Sequence, residues 1–264
     1  MQLELSRIPD LLHQPPLRPR PQELRRVNGV FLVGAGLEPQ PTLETIFDSD
    51  CQAPVELFLF DLPTPDTLGA TAELLGLIKK NLRGFVFARL GFAPQRAQLE
   101  FAYTQGIDLL DLEIDGAADW DSPPVQQRLH ALELARDIFP RWAVSATLGW
   151  RGAEAPKLMA AMDELARRRI LPLLSLDAHC GAVDAEATGA LFAHLEQCWR
   201  RAGVVLRPLA PLIVLTTPLA VAVPRTLVGS LLGRAQDARL RAGSDLRRLL
   251  RVRRVEESFD SAGL

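Results

Sequence analysis

From Val27 onward the chain alternates short apolar runs with longer amphipathic stretches. The runs cover residues 30–33, 55–60, 84–90, 107–115, 143–148 and 171–176, and a seventh, interrupted by prolines, covers 204–215. Each is rich in Val, Ile, Leu or Phe and bounded by Gly, Pro or Asp, which predicts buried β-strands. Between them, helical spacing predicts helices over 64–81, 93–105, 122–139, 152–169 and 184–201. Three of these open on Thr64-Pro65, Ala93-Pro94 and Ser122-Pro123, the capping and first-turn chemistry of a helix start.

Strand–helix repetition of this kind predicts βα units and a parallel sheet. Six units are clear, and the region after Gly203 has room for two more. The expected fold class is α/β, a (βα) TIM-type barrel, complete or partial. A doubly wound dinucleotide-binding sheet fits less well. After the first strand, Gly34-Ala35-Gly36-Leu37-Glu38-Pro39 sets Pro39 where the third glycine of that fingerprint belongs. The organisation read from the chain is a polar, proline-rich extension over 1–26, the barrel over 27–224, and a basic amphipathic helix and tail over 225–264.

Composition narrows the function classes. The 264 residues are 48% hydrophobic and 23% charged with a net charge of −2, an ordinary globular balance that excludes a disordered chain and a uniformly basic nucleic-acid binder. Cys51, Cys180 and Cys198 lie far apart without a CxxC pair. That pattern suits a reducing compartment, and neither a disulfide framework nor a four-ligand zinc site is expected. The N-terminus lacks the apolar core of a signal peptide, so a cytoplasmic location is expected. Residues 209–233 are nearly all apolar, but Pro211, Pro218 and Pro224 would break a spanning helix, and membrane association is not expected. Arginines outnumber acids nine to two over 225–254, with leucines at helical spacing. This reads as a solvated last helix or as a surface that docks on a protein partner, an anionic membrane surface or RNA.

Candidate chemistry concentrates at the ends of the predicted strands, where barrel enzymes work. Over 107–115 the alternation sets Leu110, Leu112 and Ile114 on one face and Asp111, Glu113 and Asp115 on the other. The carboxylates would line the barrel interior, where isolated charges are costly and need donors or cations. Phe85, Phe87 and Arg89 share a face on the preceding strand, so Arg89 is expected to neutralise Glu113. That pair is either a structural tie or a site for a small anion, with Arg89 as a carboxylate fork and Glu113 or Asp115 as acid or base. The sixth strand ends in Asp177, His179 and Cys180, and His194 and Cys198 lie four apart on the next helix. Their spacing matches no metal motif, and no metal or cofactor is expected. Lys79, Lys80 and Lys157, the only lysines, fall on predicted helices, which counts against a Schiff base formed on a strand.

Val55-Glu56-Leu57, the run Gly84-Phe85-Val86-Phe87-Ala88-Arg89 and the run Ile107-Asp108-Leu109-Leu110-Asp111-Leu112-Glu113 resemble successive strands of type I 3-dehydroquinate dehydratases, which are (βα)8 barrels. The resemblance spans roughly residues 55–176. It implies that Arg89 helps to bind a substrate carboxylate, and Glu56 is a further candidate substrate-binding residue. It also requires a sixth-strand lysine and a fifth-strand histidine. The corresponding runs, Ser145-Ala146-Thr147-Leu148 and Leu171-Pro172-Leu173-Leu174-Ser175, hold neither, and Phe58 replaces the expected second-strand arginine. The stretches 131–139, 143–149 and 162–174, with Arg207-Pro208-Leu209, are similar to the later units of radical S-adenosylmethionine barrels, but the CxxxCxxC cluster motif is absent.

Two functions follow as expectations. In the first, the barrel binds a small anionic carboxylate metabolite through Arg89, Glu56, Asp177 and His179. Any chemistry would then be of lyase or isomerase type, with Glu113 and Asp115 transferring protons. In the second, a catalytically degenerate barrel serves as an accessory subunit and docks through its C-terminal region.

Overall fold

The computed structural model describes residues 2–14, 17–150, 155–176, 185–220, 238–240, 242–246 and 248–249. Met1–Ala222 forms one compact unit and Val223–Leu264 a second.

In the first unit, strands β2 (Leu24–Val27), β3 (Val30–Val33), β4 (Leu57–Leu62), β5 (Phe85–Leu90), β6 (Leu109–Asp115), β7 (Val144–Trp150) and β8 (Leu171–Leu176) form one sheet. Their spatial order is their sequence order. β2 pairs antiparallel with β3, and every other pairing is parallel. The strands from β3 onward are each followed by a helix: α2 (Pro39–Gln52), α3 (Pro65–Asn81), α4 (Arg96–Thr104), α5 (Pro123–Ile138), α6 (Ala155–Arg167) and α7 (Ala185–Ala202). These make six βα units in an α/β fold, the number expected, although the sequence pattern sets no bounds for the helix of the first unit. No pairing joins β8 to β2 among the described residues.

Local chemistry accounts for most element boundaries. Thr64 caps α3 reciprocally with Thr67, the Thr67 amide donating to Thr64 Oγ1 at 3.3 Å and the Thr64 amide to Thr67 Oγ1 at 3.2 Å. Ser122 occupies the cap position of α5 but makes no capping bond; its hydroxyl donates to the Asp119 carbonyl instead. Phe58, Phe60, Val86, Ala88, Leu110, Leu112, Ala146 and Leu148 are fully buried, forming the apolar face that the alternation requires. Trp199 of α7 is buried too, and its Nε1 donates to the Pro172 carbonyl at 2.8 Å.

One expectation needs correction, and two further features were not foreseen. The run over 204–215 is not a strand: η2 (Arg207–Leu209) is a 3-10 turn and α8 (Ala210–Thr216) a short helix. Pro208 and Pro211 sit in the first turns of these elements, where a missing N–H costs nothing. A continuous apolar run has no period to tell a strand from a buried helix. The N-terminal residues, read as a polar, proline-rich extension over 1–26, also supply elements of this unit. Leu24–Val27 is an edge strand of the sheet, and Ile8 and Leu11 of α1 (Ile8–His13) are buried. Finally, α2 replaces a stretch for which no helix was expected.

A short antiparallel pair, β1 (Gln2–Leu3) with β9 (Leu219–Ala220), lies outside the main sheet. Among the described residues of the second unit, Asp245 pairs with Arg248 at 2.7 Å, while Leu246 and Leu249 are 59% and 65% exposed. No helix among the described residues is long and apolar enough to cross a membrane.

Candidate functional site

A cavity of about 820 Å³ opens at the carboxyl ends of β4 to β8. Asp61, Arg89, Glu113, Asp115, Thr147 and Ser175 line it from the strands and their ends. Arg128 of α5, Leu212, Ile213 and Thr216 of α8, and Arg18 from the N-terminal segment supply further walls. Its size is in the range of small-molecule pockets, about 300–1,000 Å³.

Sheet register decides which polar groups meet. Asp61, Arg89, Asp111 and Ser145 form one row across β4, β5, β6 and β7. Glu113 stands opposite Thr147 in the next row toward the cavity mouth. Arg89 therefore pairs with Asp111, its Nε donating to Oδ2 at 2.8 Å, and not with Glu113 as expected. Glu113 lies two residues further along β6, about 6.6 Å by the strand rise, and forms an ion pair with Arg18 instead.

Asp111 is fully buried. Besides Arg89 it accepts hydrogen bonds from Ser145 Oγ and Thr147 Oγ1, both at 2.8 Å. A buried carboxylate holding a cation and two hydroxyls is compensated, and it fixes the guanidinium of Arg89 at the cavity floor. The Arg89 Nη2 reaches Thr147 Oγ1 only at 3.4 Å, so the outer edge of the guanidinium stays available to the cavity.

Asp61 stands beside Arg89 in the same row, partly buried. Burial pushes its carboxyl above the ordinary range; the charges of Arg18 and Arg89 pull it back, and Asp111 adds a further push upward. A carboxyl raised in this way is suited to take up and return a proton. Asp115 is exposed at the rim, where its Oδ1 accepts from the Ala117 amide at 3.0 Å.

Arg128 is the least compensated cation of the cavity. Its Nη2 donates to the Gly91 carbonyl at 2.9 Å, while its buried Nη1 has no hydrogen-bond partner among the described residues. Burial also lowers its pKa, yet a guanidinium keeps its proton at any physiological pH. Gly91 lets the chain turn tightly there: a Cβ at this position would lie 2.8 Å from the Pro63 backbone.

Of the residues expected at the site, Arg89, Glu113 and Asp115 come together in the cavity. Glu56 does not. It is exposed and precedes β4 at the amino end of the sheet, beside Gly29, because the strand begins only at Leu57. Asp177, His179 and Cys180 lie outside the described residues. Asp61, Arg18 and Arg128 are the site residues that sequence reasoning missed. No protein-family model matches this chain, and no curated protein matches it in sequence.

A second cluster lies away from the cavity, where α6 and α7 pack together. Cys198 Sγ donates to Asp163 Oδ1 at 3.1 Å, and His194 Nε2 lies 3.2 Å from Asp163 Oδ2. Burial first, and then the Asp163 contact, push the Cys198 thiol up to about 12.

Proposed function

We propose that this chain is a (βα)-barrel-type protein, cytoplasmic in location, that binds a small anionic metabolite in the cavity at the carboxyl ends of its strands. The buried Nη1 of Arg128, unpartnered among the described residues, carries this reading, because an unpaired guanidinium nitrogen shut away from water is costly until an acceptor meets it. Arg89, held by Asp111 and with its outer edge available, is the second cation within the same lining. Together they suit a carboxylate or phosphate group. The sequential strand order supports the barrel part of the reading. Right-handed crossovers between consecutive neighbours put the helices on one side and leave the other as an interior.

Any chemistry is of the lyase or isomerase kind. With the anionic group of the ligand held by the two arginines, Asp61 takes a proton from the adjacent carbon. The proton then passes from Asp61, relayed by Glu113 or Asp115 at the rim, to another position on the ligand, giving isomerisation, or to a departing hydroxyl, giving loss of water, and Asp61 is left ionised as it began.

Thermal unfolding with a panel of small mono- and dicarboxylates and phosphomonoesters tests binding. A ligand at 100 times its Kd adds about 2.7 kcal/mol, which in a chain of this size raises Tm by about 5–10 °C. Arg89→Met and Arg128→Met should abolish the shift while circular dichroism stays that of the wild type. An equal shift in all three proteins contradicts the reading.

One observation favours the accessory-subunit alternative. Leu246 and Leu249 are largely exposed in an arginine-rich segment. In that reading, deleting residues 225–264 loses a protein partner and Arg89→Met does not.

A further inference from the structure

The helix layer carries a group of residues that the cavity chemistry does not use. Asp163 lies on α6, and His194 and Cys198 lie one turn apart on the facing side of α7. One ligand atom from each falls within 4.8 Å of the others. We propose that Asp163, His194 and Cys198 form a binding site for a zinc-class divalent cation, with the fourth position open to water.

Geometry is the first support. Bond lengths of about 2.0–2.3 Å to oxygen, nitrogen and sulfur give tetrahedral edges of about 3.3–3.8 Å between ligand atoms. Sγ lies 3.1 Å from Asp163 Oδ1 and Nε2 lies 3.2 Å from Oδ2, and with one ligand atom per residue the set spans no more than 4.8 Å, so a small turn of the carboxylate brings the three to that edge.

The second support is the state of the histidine. His194 Nε2 is close to the Asp163 carboxylate but off the hydrogen-bond direction, and it is buried with no hydrogen-bond partner among the described residues. A buried ring nitrogen that neither donates nor accepts is costly. Metal coordination satisfies it as hydrogen bonding with Asp163 does not. The Asp163 side chain is 53% exposed and gives the cation an entry path, while Cys198 is 2% exposed and shields the sulfur from oxidants. Thiolate, imidazole and carboxylate in a tetrahedral set select zinc and its cobalt surrogate over magnesium or calcium, which take oxygen ligands. On binding, the metal replaces the Cys198 proton, which leaves to solvent, and α6 becomes clamped to α7.

The test uses the full chain, without an affinity tag that binds metals, carrying Cys51→Ser and Cys180→Ser so that Cys198 is the only thiol. Cobalt(II) should bind one to one, with an intense thiolate-to-cobalt charge-transfer band and tetrahedral d–d bands, and zinc should displace it. Cys198→Ser should abolish the charge-transfer band. His194→Gln should weaken binding by more than the 10- to 100-fold typical of losing an outer-shell partner. Far-ultraviolet circular dichroism of both variants checks that they fold. Absence of a thiolate band at saturating cobalt overturns the proposal. So does a band that persists in folded His194→Gln with unchanged affinity.

Discussion

Removing Asp111 should separate the two roles that Arg89 has in this fold. Asp111 is 0% exposed and receives Arg89 Nε, Ser145 Oγ and Thr147 Oγ1, while the Arg89 side chain is 12% exposed. Breaking a buried ion pair by deleting one partner costs about 3–5 kcal/mol, mostly because the remaining charge is left uncompensated. Arg89 keeps a small contact with water and has Asp61 as its neighbour in the row, so Asp111→Ala belongs at the lower end of that range. Asp111→Asn keeps the shape and one acceptor, and should cost about 1.5–3 kcal/mol, the worth of a hydrogen bond to a charged group. Domains have about 5–15 kcal/mol in hand, so both variants should still fold at 25 °C. Urea unfolding reads these costs as a lower midpoint at an unchanged m-value. The double replacement Arg89→Met with Asp111→Leu removes both charges and should return close to wild-type stability, yet lose anion binding. The reasoning is refuted if Asp111→Ala costs less than about 0.5 kcal/mol, the scale of an ordinary surface change. It is equally refuted if the double variant loses as much as the two single variants added together.

Other outcomes follow from individual side chains. Because burial raises the folded-state pKa of Asp61, the folded protein holds that proton more tightly than the unfolded chain, and its carboxyl lowers stability as pH rises through the interval above 3.8. Asp61→Asn should remove that fall in urea midpoints measured from pH 4 to 8; an unchanged slope contradicts the assignment. Glu164 behaves oppositely. Hydrogen bonds from Arg167 and Arg168 hold its carboxyl at about 2, so its stabilisation is complete above 4.5 and is lost as pH falls toward 2. The group is partly exposed, so Glu164→Gln should cost only about 1 kcal/mol at pH 7, and nothing once pH is below 2. In a Cys180→Ser background, exposed Cys51 should react with a disulfide reagent at pH 8 within seconds. Cys198, with its thiol near 12, should react only after denaturation.

How much of this was legible in the chain depended on the distance over which each feature is decided. β3 and β8 match their apolar runs residue for residue: Gly29 and Gly34 bound the first, and the arginine run 167–169 and Asp177 bracket the second. β4 runs two residues beyond its apolar run. Asp61 therefore looked like a bounding turn residue, although it is the one charge of a strand and points to the cavity. The Asn28-Gly29 pair is a hairpin signal, and Asn28 adopts φ 52° between β2 and β3, but the polar β2 has no apolar alternation to accompany it. Pairing of Arg89 with Asp111 rather than Glu113 depends on the stagger between β5 and β6. A strand's own alternation names the face and leaves that stagger undetermined. Arg18 and Arg128 reach the cavity from a proline-rich segment and from a helix, and neither position carries a local pattern that marks it. His194 and Cys198 were visible as a helical pair, but Asp163 joins them only through the packing of α6 on α7.

The central claim is that Arg89 and Arg128 hold a small anion at the carboxyl ends of the strands. Native mass spectrometry of the full chain, purified gently from its own host, tests it most directly. The account predicts a stoichiometric small acidic mass on the wild-type protein that is missing from Arg128→Met and from Arg89→Met, both still folded. Wild-type protein that carries no small molecule but a stoichiometric protein partner, lost on deleting residues 225–264, would contradict it.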